Sequence, residues 1–296
     1  MEPAPAAAKK EPASAPVDAT PACGYREVRL ATSSAAIGED LVTREYARAT
    51  HLYGGECLAI GHAAALMIDR HYAQIFKDAT VLELGTGCGP GALLAARLGA
   101  RKVYATDRHR CLLDGVAESA AAAGFGEVVA CEYLSLSGAL PRAVAAEADI
   151  DVVIAIDQAY TVGAARLLVD ALANVARKTP HVKVLLFAAD APTTPACVAA
   201  IEALGWGAKR AHEADADDVA AATAALSAAG CGCGDGRPPA AIFAYELQPP
   251  RTLFVAHTND KHARPLHADS FINKPKKREK PVGVPRAPAA KPVAAA

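Results

Sequence analysis

Through the middle of the chain, short apolar runs alternate with segments whose apolar residues recur at helical spacing. A run of roughly four to eight apolar residues, bounded by glycine or charged residues, is typical of a buried strand. An apolar stripe that returns every third or fourth residue is typical of an amphipathic helix. The apolar runs predict five strands, at residues 81–85, 102–107, 127–134, 151–157 and 182–190.

Helical segments separate these strands. The periodicity predicts a helix that begins at Pro90, further helices over 109–123, 162–176, 195–204 and 214–229, and one long helix over 56–76 before the first strand. Two later apolar runs, 241–247 and 252–257, predict strands that pair antiparallel across a Pro-Pro turn. Residues 25–45 predict a small hairpin or lid.

Alternating strands and helices predict an α/β fold, with a mostly parallel sheet covered on both faces. We place this domain at residues 25–257, because the Pro/Ala-rich arm 1–24 and the tail 258–296 lack hydrophobic periodicity and are expected to be disordered. Hydrophobic residues make up 52% of the 296-residue chain, enough for a sizeable core. No apolar run approaches the ~20 residues that a membrane span needs.

The net charge is −1, but the charges are unevenly distributed. Residues 260–296 contain nine basic and three acidic residues, so the rest of the chain, here called the body, is acidic. An acidic body suits a cationic substrate better than nucleic acid. The run KPKKREKPVGVPR in the tail is either a solvated segment or a nuclear address or anionic contact. Eight scattered cysteines and an N-terminus without an apolar signal segment predict a cytoplasmic protein, with the nucleus as a second location.

The candidate chemistry follows the first predicted strand, in the sequence Glu83-Leu84-Gly85-Thr86-Gly87-Cys88-Gly89. Glycines let a backbone adopt positive φ and approach a ligand closely. Asp107 ends the second predicted strand, where a carboxylate can accept hydrogen bonds from both hydroxyls of a ribose. Because open α/β sheets bind ligands at the carboxyl ends of their strands, we expect an adenosine-containing cofactor here.

NAD and S-adenosylmethionine both contain adenosine, and the glycine pattern distinguishes a binding site for one from a binding site for the other. A dinucleotide fingerprint requires a third glycine at the position of Pro90, under a pyrophosphate. This chain has G-x-G-x-G after an acid instead, and it lacks a Tyr-x-x-x-Lys catalytic pair. The pattern therefore favours S-adenosylmethionine over an NAD-dependent oxidoreductase.

The segment VLELGTGCGPGALLAARLGARKVYATDRHRCLL resembles motif I and the following acidic motif of seven-strand S-adenosylmethionine-dependent methyltransferases, most of all the protein-lysine group called methyltransferase family 16. DVVIAIDQAY is similar to that group's D-x-x-Y, with Asp157 and Tyr160. The likeness covers residues 56–190 well. It implies a class I methyltransferase, a Rossmann-like seven-stranded, mostly parallel sheet with an antiparallel C-terminal strand and helices on both faces.

The resemblance also implies a set of cofactor-binding residues and no metal. The set is Glu83, Gly85, Thr86, Gly87, Gly89, Asp107, Arg108, Glu132 and Tyr133. The chain departs from the family in two places. Ile60-Gly61-His62-Ala63-Ala64 stands where the family has a Trp-Pro pair, and Leu134-Ser135-Leu136 replaces a segment that caps the adenine. Either Glu132 and Tyr133 substitute for that segment, or they support the fold and adenine binding is weaker.

Methyl transfer from a sulfonium is an in-line displacement that needs a free lone pair aligned with the methyl carbon. A lysine amine, with an ordinary pKa of about 10.4, must first lose a proton. We expect Asp157 to attract and position the lysine, and Tyr160 to help orient it. The alternatives are that Asp157 caps the next helix and that Tyr160 packs at a pocket rim.

The leading hypothesis is a protein N-methyltransferase that acts on lysine, and the family resemblance implies a translation factor or a chaperone as substrate. A nicotinamide-type small-molecule N-methyltransferase and a non-catalytic scaffold with the same fold are the alternatives. Nucleic-acid amino-methylases have two prolines between the acid and the aromatic residue at this strand end, and Asp157-Gln158-Ala159-Tyr160 lacks both.

Overall fold

The computed structural model describes residues 25–29, 41–46, 58–147, 149–228, 241–250 and 253. An antiparallel pair comes first, formed by β1 (Tyr25–Arg29) and β2 (Val42–Tyr46). This pair confirms the hairpin expected within residues 25–45. The domain boundaries expected at 24 and 257 lie outside the described residues and stay predictions.

Seven strands form the central sheet. They are β3 (Thr80–Leu84), β4 (Lys102–Asp107), β5 (Val129–Tyr133), β6 (Val152–Ile156), β7 (Lys183–Ala189), β8 (Gly207–Glu213) and β9 (Ile242–Gln248). Their order is β5-β4-β3-β6-β7-β9-β8, and β9 runs antiparallel to the other six strands. The expected class I fold is confirmed. After β5 the chain crosses to the far side of β3, which creates the switch point where such sheets bind ligands.

Helices cover both faces of the sheet. They are α1 (Ala59–Met67), α2 (Pro90–Arg97), α3 (Arg110–Ala122), α4 (Arg142–Ala146), α5 (Val162–Ala176), α6 (Thr194–Ala203) and α7 (Ala216–Ala228). One core contains residues of α1, α2, α3 and α7, and a second contains residues of α4, α5 and α6. In the part of the chain that the structure describes, no helix is both long and apolar enough to cross a membrane.

Successive residues of each central strand enter opposite cores. Val81 in β3 packs in the core with α1 and α2, whereas Leu82 and Leu84 pack in the core with α5. All five residues of β3 and all five of β6 are buried. A strand that is buried on both faces has a continuous apolar sequence, so these strands are evident from the sequence.

β8 was not expected. Its sequence, GAKRAHE, is polar, and most of its residues are exposed or half-buried because it forms the edge of the sheet and pairs only with β9. Charged residues are a common protection of edge strands. β7 and β8 occupy both sides of β9, so the expected pairing of β9 with 252–257 is wrong. That segment lies outside the described residues except for Leu253, which is helical.

The long helix expected over 56–76 is interrupted. α1 ends at Met67 and is followed by a π-helical turn, Ile68–Tyr72, and a 3₁₀ turn, Ala73–Ile75. The π turn places the His71 ring in a stack on the His212 ring of β8, with centroids 4.0 Å apart. The Tyr72 ring meets the Phe187 ring of β7 edge-on. A π turn takes one more residue than an α turn, a change that apolar periodicity over this length does not reveal.

Candidate active site

A cavity of about 340 Å³ opens at the carboxyl ends of β3, β4 and β6, at the switch point of the sheet. Its size is in the range of small-molecule sites. Eight of the predicted site residues line it, namely Glu83, Gly85, Thr86, Gly87, Asp107, Arg108, Asp157 and Tyr160. Apolar side chains complete the wall, among them Leu58, Ile60, Leu134, Leu136 and Leu167. The fold therefore brings most of the predicted residues to one place.

The glycine loop turns sharply between β3 and α2. Gly85, Gly87 and Gly89 have φ angles of 69°, 53° and 84°, which side-chain-bearing residues rarely adopt. Gly89 precedes Pro90, the first residue of α2, and a Cβ on Gly89 would lie 2.8 Å from Cγ2 of Val116. Gly89 thus shapes the start of the helix and does not itself line the cavity.

Glu83 is fully buried beneath this loop. Its carboxylate accepts hydrogen bonds from the Thr86 hydroxyl and, at 2.8 Å, from the Ala92 backbone N–H. Burial raises the pKa of the Glu83 carboxyl to about 7, although these hydrogen bonds act in the opposite direction. Glu83 therefore ties the end of β3 to the loop and to the first turn of α2. Direct contact with the cofactor stays a prediction.

Asp107 ends β4 beside the same loop. The backbone N–H of Gly87 donates to its Oδ2 at 3.1 Å, and the N–H of His109 donates to its Oδ1 at 2.9 Å. Burial raises the pKa of the Asp107 carboxyl, and the two N–H donors oppose this shift. An oriented carboxylate in the cavity wall is the group that a ribose diol requires. Arg108 lines the cavity next to it, and its Nε donates to His109 Nε2 at 3.0 Å.

Asp157 follows β6 with a φ of 56°, one of two non-glycine residues with positive φ in the described chain. Its backbone N–H donates to the Phe187 carbonyl at 2.9 Å. Burial raises the pKa of the Asp157 carboxyl to about 6. Asp157 does not cap the following helix, because the Thr161 hydroxyl accepts a hydrogen bond from the Ala164 N–H at the start of α5. Tyr160 lies at the mouth of the cavity with 43% of its surface exposed.

Like Gly89, the predicted cofactor-binding residues Glu132 and Tyr133 lie outside the cavity lining. Glu132 is half-buried near the end of β5 and pairs with Thr106 in the sheet register. Tyr133 is 46% exposed, and its ring lies under the Arg110 guanidinium, 4.9 Å from the centroid. Leu134, Ser135 and Leu136 reach the cavity in their place. A role for Glu132 and Tyr133 in holding the adenine stays a prediction.

Gln158 is a cavity residue that the sequence motifs did not single out. Its side-chain Nε2 donates to the carbonyl oxygens of Gly85 and Ile156, each at 3.2 Å. A Cβ on Gly85 would lie 2.2 Å from this amide, so the amide packs where only glycine leaves room. The sequence near Gln158 does not predict its contact with Gly85, because the two residues are 73 positions apart.

The cavity suits S-adenosylmethionine in its chemistry. The Asp107 carboxylate is fixed by two N–H donors for a diol, and carbonyl and carboxylate oxygens at β6 suit cationic groups. The leucines and Ile60 offer an apolar wall for a flat base. Among the described residues, no cluster of three or more potential ligands could hold a metal ion.

A family model described as "Lysine methyltransferase" matches residues 47–191, a range that contains the glycine loop, Asp107, Asp157 and Tyr160. A comparison of the chain with curated proteins found no match.

Several solved structures match parts of this chain. A ribosomal protein L11 methylase from Lactobacillus delbrueckii is 20% identical, with a TM-score of 0.43 over 64% of this chain and 78% of that chain. A protein from Pyrococcus horikoshii titled a putative RNA methyltransferase is 14% identical, with a TM-score of 0.45 over 64% and 84%. A Trypanosoma brucei PRMT1 enzyme-prozyme complex with AdoHcy is 24% identical, with a TM-score of 0.32 over 42% and 38%.

The family match covers the segment that builds the cavity, and the seven-stranded sheet carries the glycine loop and Asp107 at its switch point. The chain is therefore an S-adenosylmethionine-dependent methyltransferase with a seven-stranded sheet, and its residues 47–191 are similar to the family that this model describes.

Proposed function

We propose that the protein transfers the methyl group of S-adenosylmethionine to the side-chain amine of a lysine in a protein substrate. The observation that carries this proposal is the Asp157 carboxylate in the cavity wall, just past β6 and three residues before Tyr160 at the mouth. A carboxylate in that place attracts and orients a cationic amine. The description of the matching family supports the same acceptor.

When bound, the cofactor supplies a methyl group on a positively charged sulfur, which leaves as a neutral thioether. The carboxyl of Asp157, with a pKa of about 6, is mostly ionised at neutral pH and accepts a hydrogen bond from the incoming ammonium. Its negative charge raises the pKa of the amine, so it positions the lysine rather than deprotonating it. The apolar wall around Leu58 and Leu167 lowers that pKa by desolvation, and one ammonium proton passes to solvent before the nitrogen lone pair attacks the methyl carbon.

The residues at the rim of the cavity favour a polypeptide over a small molecule as the methyl acceptor. Leu58, Tyr160 and Leu167 all line the cavity and are 38%, 43% and 39% exposed. Apolar side chains grouped at the mouth of a site are well suited to the residues that flank a target lysine. The family resemblance suggests a translation factor or a chaperone as the substrate, and the sequence suggests a cytoplasmic location with the nucleus as a second one; both are part of the proposal.

Transfer of a labelled methyl group tests the proposal. Purified protein is incubated with tritiated S-adenosylmethionine and a cell extract, and the products are separated on a denaturing gel. The matched control is Asp157→Asn, since asparagine tolerates positive φ at least as well as aspartate and removes the negative charge with little change in side-chain size. We expect a discrete labelled protein band with the wild type and a loss of that band with the variant, which should still bind S-adenosylhomocysteine.

Label in a small-molecule fraction instead of a protein band would favour the nicotinamide-type alternative. An Asp157→Asn variant that fails to bind S-adenosylhomocysteine would assign Asp157 to the cofactor instead of the substrate. Binding of S-adenosylhomocysteine with no labelled product from any extract would support a scaffold.

A further inference from the structure

Gln158 occupies the opposite side of the cavity from the ribose-binding carboxylate. Asp107 ends β4 and Gln158 follows the end of β6, and β3 with its glycine loop lies between these two strands. A cofactor whose ribose is held at Asp107 and whose adenine lies toward β5 must extend its amino-acid end across Gly85 toward β6. Gln158 therefore stands where that end arrives.

The orientation of the Gln158 amide is fixed by its contacts. Nε2 lies 3.2 Å from two carbonyl oxygens, those of Gly85 and Ile156, and carbonyl oxygens only accept hydrogen bonds. The reverse orientation would set the amide oxygen against both of them. The nitrogen thus braces the glycine loop against the end of β6.

The amide oxygen of Gln158 is left available to a ligand. Among the described residues none donates a hydrogen bond to Oε1, and this atom is not one of the buried side-chain atoms that lack a partner, so solvent reaches it. Gln158 lines the cavity. An accessible amide oxygen with a fixed orientation is a preorganised hydrogen-bond acceptor.

The distribution of charge in the cavity indicates which group this acceptor takes. In the described lining the cation is Arg108, beside Asp107 on the β4 side, whereas the β6 side presents Asp157 and the amide oxygen. A cationic donor is therefore favoured near β6 and a carboxylate is disfavoured there.

We propose that Oε1 of Gln158 accepts a hydrogen bond from the ammonium of the amino-acid end of S-adenosylmethionine. Gln158 then serves two purposes with one amide, since the nitrogen holds the glycine loop and the oxygen selects a ligand that carries an amine. This inference does not depend on the methyl acceptor being lysine.

Binding of two ligands to two proteins tests the proposal by calorimetry, without any methyl acceptor. The ligands are S-adenosylhomocysteine and its deaminated analogue, which keeps the adenosine, sulfur and carboxylate but lacks the amine. The proteins are the wild type and Gln158→Leu. We expect Gln158→Leu to bind S-adenosylhomocysteine about tenfold more weakly, the usual loss for a hydrogen bond to a charged group, and the analogue within about twofold of the wild type.

Loss of the brace could disturb the glycine loop, and the comparison between ligands removes that effect, because a distorted loop weakens both ligands equally. Equal weakening of both ligands, or no weakening of either, would overturn the proposal. So would unchanged binding of S-adenosylhomocysteine with a raised KM for the methyl acceptor, since the oxygen would then serve the substrate amine.

Gln158→Glu provides a second variant that keeps an acceptor oxygen and adds negative charge. We expect its preference for S-adenosylhomocysteine over the deaminated analogue to equal or exceed that of the wild type. A preference that falls to the level of Gln158→Leu would contradict a role for Oε1 as the ammonium acceptor.

Discussion

Asp157 combines a backbone conformation that few side chains accept with a carboxyl whose pKa is raised. Its φ of 56° lies in the region where aspartate and asparagine are enriched among non-glycine residues. Burial raises the pKa of its carboxyl to about 6, so the group loses its charge under mildly acidic conditions. The raised pKa follows from its place directly after a strand that is buried along its whole length.

We expect the rate of methyl transfer to depend on the ionisation of Asp157. The value of kcat/KM should rise with pH through about 6, because the protonated carboxyl no longer attracts the substrate ammonium. Asp157→Asn should lower kcat/KM on the order of 10- to 100-fold and remove this acid limb. The check is a pH profile of both proteins between pH 5 and 8, and an unchanged acid limb in the variant would assign it to another group.

Glu83 should make the protein less stable as pH rises, whereas an acid in a salt bridge makes a protein more stable as pH rises. Its carboxyl has a pKa of about 7 in the folded protein against an ordinary 4.5, so the folded state holds the proton over this interval. The free energy of unfolding should therefore fall by about 3 kcal/mol as pH rises from 4.5 through 7.

The measurement is denaturant unfolding of the wild type and Glu83→Gln at pH 5 and pH 8. The variant should be less stable overall, because the amide nitrogen meets the N–H donors of the loop. The difference between the two proteins should shrink at pH 8, where the wild-type carboxylate carries its full desolvation cost. A difference that grows with pH would contradict this account.

At the scale of elements, the glycine loop and the start of α2 depend on close contacts that helix propensity does not describe. Gly91 lies in the first turn of α2, where a Cβ would meet Oε1 of the buried Glu83 at 2.2 Å. Alanine is the better helix former in a helix interior by about 1 kcal/mol, so propensity and packing predict opposite signs at this position.

We expect packing to prevail at Gly91. Gly91→Ala should reduce the affinity for S-adenosylhomocysteine at least tenfold and lower the melting temperature, since Glu83 and the loop must move. Gly163→Ala in α5 is the matched control, because its Cβ would lie 3.8 Å from the Thr161 hydroxyl and fit without strain. Thermal unfolding and calorimetry check both variants, and equal effects of the two would contradict a specific role of the Glu83 contact.

The sequence predicts well the elements whose signal is local, and it predicts poorly the elements that depend on contacts with distant residues. β3 and β6 are fully buried, and their apolar runs are visible without any knowledge of their neighbours. β8 is half-exposed at the edge of the sheet, where neither burial nor alternation gives a signal, and it was missed. The π turn after α1 is decided by contacts with β7 and β8 that lie far along the chain.

At the scale of the whole molecule, strand order brings the candidate site together. Glu83, Asp107 and Asp157 end or follow three neighbouring parallel strands, so the fold itself delivers them to one cavity. That much is predictable once the motif suggests the fold. The role of Gln158 is not, because it depends on two carbonyl contacts that form only when the glycine loop and the end of β6 meet.

The most direct test of the proposed lysine methyltransferase is the identity of the amino acid that carries the label. The protein band labelled from tritiated S-adenosylmethionine would be excised and hydrolysed, and the labelled amino acid identified by chromatography against methylated standards. We expect the label to elute with methyl-lysine and to be absent when Asp157→Asn replaces the wild type. Label in methyl-arginine, methyl-histidine or methyl-glutamine would contradict the proposed acceptor.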